Sequence, residues 1–360
     1  KDGQRELKPT KRYEIILTEN ALNRWCEEIL EKKFFAIDTE TTSLDTLNAE
    51  LVGISMCIDL GKACYIPIAH QTNQTEYKDI EGKQLDKDIV LKRLQPLLAD
   101  ESILKIGHNI KYDIKVFDKY KCQVNSFDDT MLMSHCINGG QQRHSLDSVA
   151  KYLLNHETIK LKDLIGSGKK ELNFMNVPIN LAADYAAEDA DVTFQAWKIL
   201  KKELVKKSVY SVYQNIDKPM ISVLIDAELK GIEVDKIQLQ RLSEFFEKKL
   251  SELESRIFTT VGVKFNIGSP KQLGEILFEK LKLPGGKKNK SGSFQTGADI
   301  LEDLSSKGFE ITSHLLEWRK ISKLKSTYSD SLMLHVNNFT GRVHSSFNLA
   351  GTSTGRLSSS

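Results

Sequence analysis

Apolar residues recur in short runs through the first third of the chain, and their spacing changes from strand-like to helix-like and back. Residues 12–17 and 34–38 predict strands, and between them residues 19–33 place Leu22, Trp25, Ile29 and Leu30 on one helical face. Strand-like runs follow at 51–58 and 63–68, then a helix with Leu91, Leu94, Leu97 and Leu98 inward, then a short run from Ile103 to Ile106. This order predicts a mixed α/β layer, with three strands close together and helix-separated ones after them. From 126 to 206 the pattern turns helical, clearest at 128–137, 145–155 and 181–206, and strand signals are missing there. Beyond 207 come long charged helices at 236–261, a Gly-, Lys- and Ser-rich loop at 284–293, and further helix to about 334. A domain boundary is therefore expected near 207.

Within FFAIDTETTSL, Asp38 and Glu40 are two apart on a strand and point to the same face of the sheet. Two carboxylates sharing a site repel, so a pair at the end of an apolar strand calls for a cation; an isolated D-x-E is otherwise usually a solvated strand end. The strand ILKIG runs through a turn into NIKYDIKVF, which reads as placing Asn109 and Asp113 four apart on one helical face. In LAADYAAEDADVTFQAW, Tyr185 and Asp189 are again four apart, while Glu188 and Asp191 fall on other faces and read as solvated. Four carboxylates with no His or Cys among them suit hard divalent cations, Mg²⁺ or Mn²⁺, rather than zinc. Pairs of such ions about 3.5 to 4 Å apart are a recurrent solution for phosphodiester hydrolysis.

Composition narrows the setting. The chain has 360 residues, 40% apolar and 28% charged, which is the balance of a folded globular protein rather than a disordered one. No apolar run approaches the ~18 to 20 residues of a membrane helix, and no signal peptide is visible, so a soluble, cytoplasmic protein without a membrane partner is expected. The five cysteines, at 26, 57, 64, 122 and 136, include no C-x-x-C pair and read as reduced, mostly buried thiols. Cys57, Cys64, Met131 and Met133 read as core. A net charge of +2 names no partner, so the placement of positive charge matters more. The chain begins at Lys1 and stops at Ser358, Ser359 and Ser360, and both ends read as cuts in a longer protein.

The segments FFAIDTETTSL, IGHNIKYD and YAAEDADVTFQAW resemble the three exonuclease motifs of the bacterial family A DNA polymerases, the polymerase I family. These belong to the tyrosine branch of the DEDD exonuclease superfamily. The resemblance continues through QRHSLDSVAKYLLNHETIKLKDLIG and VKFNIGSPKQLGEILFEKL to AGTSTGRLSSS, covering residues 12–360. It implies a ribonuclease H-like mixed β-sheet flanked by helices over residues 12–206, preceded by a linker remnant at 1–11. A mainly helical polymerase thumb and the beginning of the palm would occupy 207–360. It also implies a proofreading 3′-to-5′ exonuclease using two divalent cations, with Asp38, Glu40, Asp113 and Asp189 as metal ligands. Tyr185 would orient the attacking water with Glu40. Thr41, Leu44, Asn109 and Tyr112 would place the 3′-terminal nucleotides of a single strand, and His108 reads as structural or a minor contact.

In the second half, five lysines between 280 and 290, among them Lys287, Lys288 and Lys290, stand without an acid. A second basic cluster holds Arg319, Lys320, Lys323 and Lys325. Taken alone, both are solvated surface as readily as phosphate contacts. The resemblance implies that they grip duplex DNA, as would Arg356, in a monomeric protein. The polymerase catalytic aspartates would lie beyond Ser360, so no primer extension is expected of this chain. Two other readings remain: an exoribonuclease of the same superfamily, and a non-catalytic DNA-binding scaffold.

Overall fold

The computed structural model describes residues 11–71, 83–168, 171–290 and 292–359. The segment read as a linker remnant lies outside these residues except for Lys11, and so do Ser291 and Ser360. Two compact units are present, one formed by the chain up to Leu229 together with Ser345 onward, the other by Lys230–His344.

The first unit is built on a six-stranded sheet: β1 (Arg12–Ile15), β2 (Phe34–Thr41), β3 (Leu51–Asp59), β4 (Lys62–Pro67), β5 (Leu104–Gly107) and β6 (Phe127–Asp129). Their spatial order is β1-β4-β3-β2-β5-β6. The central β2-β3-β4 meander is antiparallel, whereas β1 on β4, β5 on β2 and β6 on β5 are parallel. This mixed sheet with helices on both faces is ribonuclease H-like.

Strand parity decides what each face carries. On β2, Phe35 and Ile37 enter a core with α1 (Glu19–Lys32), α2 (Lys87–Ala99) and α3 (Lys111–Lys119). Ala36, of the opposite parity, enters a second core with α4 (Thr130–Asn138), α5 (Leu146–Leu154) and α7 (Ile179–Lys206). Between them in the chain, α6 (Leu161–Ile165) buries none of its residues.

Local chemistry sets the helix ends. Thr18 caps α1 by accepting from the Ala21 N–H, a contact worth about 1 kcal/mol, and Lys33 ends it in the left-handed conformation. The buried stripe of α1 is Leu22, Trp25, Cys26 and Ile29; Leu30 is 46% exposed, because the fourth place on the stripe falls to Cys26 at i+4 from Leu22.

Strand β6 overturns the all-helical expectation for 126–206. It is three residues long and two of them are acids, so no apolar alternation announces it. Both acids are buried and fully employed. Asp128 accepts from Trp197 Nε1 at 2.8 Å, from the Tyr213 hydroxyl at 3.0 Å and from Lys218 at 3.0 Å. Asp129 caps α4 through the N–H groups of Met131 and Leu132.

The first compact unit runs on past residue 207 to Leu229. Tyr213, Ile221 and Ile225 bury into the core beneath α7, which carries 207–229 with the first unit. α8 (Lys218–Lys230) belongs to this region, and the returning residues Leu349 and Ala350 pack on the same core.

In the second unit, β7 (Ile232–Glu233) pairs antiparallel with β8 (Arg342–Val343). Its longest helices are α9 (Lys236–Val261), α10 (Ala298–Ser306) and α11 (Glu310–Lys323). They close over Ile257, Val261, Leu273, Leu277, Leu301 and Leu315. Among the described residues no helix is long and apolar enough to cross a membrane.

Candidate active site

Asp38 and Glu40 continue the Phe34–Ala36 parity of β2 and so look toward α7. α7 answers with Tyr185 and Asp189, one turn apart. Ligand oxygens of Asp38, Glu40 and Asp189 all lie within 4.8 Å of one another. The pairing of β2 with β3 shifts register between Glu40 and Thr41, a bulge that ends the strand at the site.

Asp113 completes the cluster from α3. Its Oδ1 accepts from both the backbone N–H of Thr39 at 2.9 Å and the Thr39 hydroxyl at 2.6 Å. Thr39 lies between the two strand carboxylates and was not singled out by sequence; its position inside D-x-E was the available signal.

Electrostatics follow from crowding acids in a buried place. Burial pushes Asp38 up to about 7. Glu40 rises well above the usual carboxylate range through burial, then through the charges of Asp38, Asp189 and Asp113. Burial and Asp38 likewise raise Asp113, against the two hydrogen bonds from Thr39. They also raise Asp189, which a hydrogen bond from Tyr185 opposes. Burial, and then the neighbouring carboxylates, hold the Tyr185 phenol far above its ordinary value, so it stays a neutral donor.

The buried Glu40 Oε1 finds no hydrogen-bond partner among the described residues. An orphaned oxygen inside an all-oxygen, mutually repelling set fits a hard divalent cation, which would relieve both costs.

Two further groups border the cluster. Tyr65 is buried on β4, its phenol raised by burial and by Glu40 and Asp38, and it hydrogen-bonds His70 at 2.7 Å. Its ring occupies the space opposite Gly53, where a Cβ would lie 2.1 Å from the hydroxyl oxygen. Gly53 pairs with Glu40, so the glycine is what lets the ring pass beneath the site. Nothing in the local sequence of Gly53, Tyr65 or His70 marks this arrangement.

The residues expected to place nucleotides are partly assembled. The hydroxyls of Thr41 and Tyr112 contact each other and both lie within hydrogen-bond reach of the Ser43 carbonyl, Tyr112 at 2.7 Å and Thr41 at 3.1 Å, so their two protons serve the three contacts in turn. Leu44 follows, 90% exposed.

Asn109 departs from expectation. It sits before α3 with φ of 61°, not on its face, because the turn after β5 needs a left-handed residue there, which Asn tolerates. Its N–H and that of Ile110 donate to Asp129, at 3.3 and 3.0 Å. His108 turns to the Thr130 hydroxyl at 2.8 Å, a structural contact.

Glu188 and Asp191 are also corrections, being buried rather than solvated. Glu188 accepts from Lys11 at 2.6 Å, His156 at 3.0 Å and the Ile159 N–H at 2.7 Å. Asp191 accepts from the Tyr13 hydroxyl and the Gly61 N–H, both at 3.0 Å. α7 is covered on several sides, so its rear acids meet partners from distant segments.

In the second unit, Lys287, Lys288 and Lys290 are exposed, with Lys288 4.5 Å above the Phe294 ring and 3.8 Å from Glu279. Lys323 is exposed on the last turn of α11. Arg319 points inward to the Thr296 carbonyl at 2.5 Å, and Lys325 is paired with Glu247 at 3.1 Å and Asp330 at 2.8 Å. Arg356 is exposed in the segment that returns to the first unit.

A sheet of this topology bearing a buried carboxylate cluster fits a nuclease class, and residues 13–205, more than half of the chain, match the 3′-5′ exonuclease family model. The chain belongs to that family. Residues 236–360 match the model of DNA polymerase family A. Among its relatives, DNA polymerase I of Rhizobium leguminosarum is 43% identical over 350 residues, covering 94% of this chain and 34% of the relative. DNA polymerase I of Pseudomonas aeruginosa is 39% identical over 352 residues, covering 97% and 38%. A solved structure, the POL domain of Pol1 from M. smegmatis in complex with DNA primer-template and dNTP, superposes with a TM-score of 0.77 at 25% identity. The match covers 96% of this chain and 54% of that one. The chain thus spans little more than a third of the length of these curated relatives.

Proposed function

We propose that this chain removes 3′-terminal deoxynucleotides from DNA, as the proofreading part of a DNA polymerase I acting in replication and repair in the bacterial cytoplasm. The observation that carries the reading is the convergence of Asp38, Glu40 and Asp189 within 4.8 Å, with Asp113 held beside them by Thr39. Asp38, Glu40, Asp113 and Asp189 would hold two divalent cations, Mg²⁺ or Mn²⁺. When bound, such ions supply an activated water and charge neutralisation at the scissile phosphate and leaving oxygen.

The chain's own residues do the positioning. Tyr185, kept protonated by its surroundings and hydrogen-bonded to Asp189, would orient the incoming water together with Glu40 by accepting from it at the phenol oxygen. Thr41 and Tyr112, tied to Ser43, form a fixed edge for the terminal nucleotide, against which Leu44 can wedge the last base. Asn109 adds a contact from the turn before α3.

Residues 12–206 would form the exonuclease domain, with 207–360 as thumb and beginning of palm. In this second part the exposed Lys287, Lys288, Lys290, Lys323 and Arg356 would meet duplex phosphates. The inward pairing of Arg319 and Lys325 fits support of α11 better than direct contact. The protein would act as a monomer.

The test is cleavage of a 5′-labelled single strand, in DNA and matched RNA forms, with Mg²⁺ and with EDTA. Stepwise shortening of the DNA that EDTA abolishes is expected. Preference for RNA, or no cleavage with either metal, would overturn the reading.

A further inference from the structure

We propose that Glu228 is a positioning residue for Asp113, tying the helix that carries this carboxylate to the 345–360 segment. The inference rests on the function proposed above and adds a residue far from the exonuclease motifs in sequence.

The geometry is specific. Lys111 and Lys115 stand one turn apart on α3, on either side of Asp113 in the sequence, and both reach the Glu228 carboxylate, Lys115 at 2.6 Å. The Glu228 side chain is 1% exposed and the two lysine side chains 12%. Glu228 Oε1 also accepts from the Phe347 N–H at 2.8 Å, and the Phe347 carbonyl accepts from Lys111.

One carboxylate therefore joins α3, α8 and the start of the returning segment. Asp113 is then held from two sides: its own oxygen by Thr39 of β2, and its helix by Glu228.

A buried anion bridging two cations resists removal, because the lysines left behind would be desolvated and unpaired. Without Glu228, α3 loses its fixed seat, and Asp113 is presented to the cation over a range of positions. Groups that orient a metal ligand in this way commonly change metal affinity by about 10- to 100-fold. Displacing residues 345–348 should act in the same sense, since Phe347 is part of the clamp.

The experiment compares wild type with Glu228→Ala, Glu228→Gln and Lys115→Met, using Glu14→Gln on β1 as a control for general destabilisation. Three quantities are read: Mn²⁺ affinity without DNA, amide exchange of residues 111–119, and the Mg²⁺ concentration giving half-maximal cleavage of a labelled single strand.

For Glu228→Ala, Mn²⁺ affinity should fall roughly tenfold, with a matching rise in the Mg²⁺ requirement. Protection of 111–119 should be lost selectively, and because Tyr112 rides on the same helix the KM for DNA should rise as well. Glu228→Gln, which keeps the shape and one acceptor, should show a smaller effect, and Glu14→Gln none on metal affinity.

If the alanine variant does not fold, the glutamine and methionine variants carry the same comparison. Unchanged metal affinity and exchange in the folded variants, or an equal loss in Glu14→Gln, would overturn the proposal. Wild type that binds Mn²⁺ without cleaving DNA would sink the functional reading instead, while the first two measurements still decide the role of Glu228.

Discussion

Asp38 and Tyr185 face the same reacting centre but contribute differently, and their variants should separate those contributions. Asp38→Ala removes a carboxylate from the tightest part of the cluster and should nearly abolish single-turnover cleavage at ordinary Mg²⁺. Tyr185→Phe removes a hydroxyl that bonds Asp189 and positions water, an aid typically worth ~10² to 10⁴ in rate, and should leave all four carboxylates able to bind metal. A Mg²⁺ titration of both variants tests this; a phenylalanine variant that has also lost metal would contradict it.

His70 offers a prediction about acid sensitivity. Its ring is buried between the Tyr65 hydroxyl and the Val177 carbonyl, and burial lowers its pKa to about 4. Between about 4 and its ordinary value of 6.5 the unfolded chain binds the proton and the folded one does not. Stability should therefore be intact above pH 6.5 and fall as the pH drops toward 4. His70→Gln should flatten that limb of a melting-temperature profile, and an unchanged slope would exclude the assignment.

The shared face of Asp38 and Glu40 and the spacing of Tyr185 and Asp189 were legible because strand parity and helical spacing are local properties; their grouping with Asp113 rested on the resemblance. Thr39, Gly53 and Tyr65 were not legible, since what they do depends on partners contributed by other strands and by α3.

At the level of elements, the long regular pieces could be read and the short or acidic ones could not. The strand expected at 34–38 is the first part of β2, and the helix expected at 181–206 lies within α7. β6 escaped because two of its three residues are charged, and their burial is balanced by Trp197, Tyr213 and Lys218, which lie far along the chain. The same holds for Glu188 and Asp191: a helical wheel shows which way a side chain points, not what covers it.

The loop at 284–293 supports a prediction at this scale. Replacing Lys287, Lys288 and Lys290 with glutamine should weaken duplex binding and reduce the log-log salt slope by about 0.7 to 0.9 for each phosphate that the protein no longer neutralises. Cleavage of a short single strand should be unaffected. Fluorescence anisotropy across a salt series reads this directly, and an identical slope would assign the loop to solvated surface.

At the scale of the whole molecule, the mixed α/β class followed from the order of apolar runs, while long-range packing decides how far each compact unit extends. Composition changes near 207, yet the buried side chains of 213–225 keep that stretch with the sheet, and the chain comes back to it at 345. The pairing of β7 with β8 has a topological consequence. Ile232 lies opposite Val343, so the strand leaving for the second unit and the strand returning from it run side by side, about 5 Å apart. Residues 230–344 thus form a compact unit whose two ends meet, with the rest of the described chain as its host. Ends that meet in this way predict that the unit can be cut out. Joining residue 233 to residue 342 through an Asn-Gly turn should close the stem as a hairpin and leave the host with its sheet, its carboxylates and the Glu228–Phe347 contact. A cooperative melt and retained metal-dependent cleavage of single-stranded DNA are expected of the shortened protein, whereas a chain without a cooperative transition would mean the host cannot stand alone.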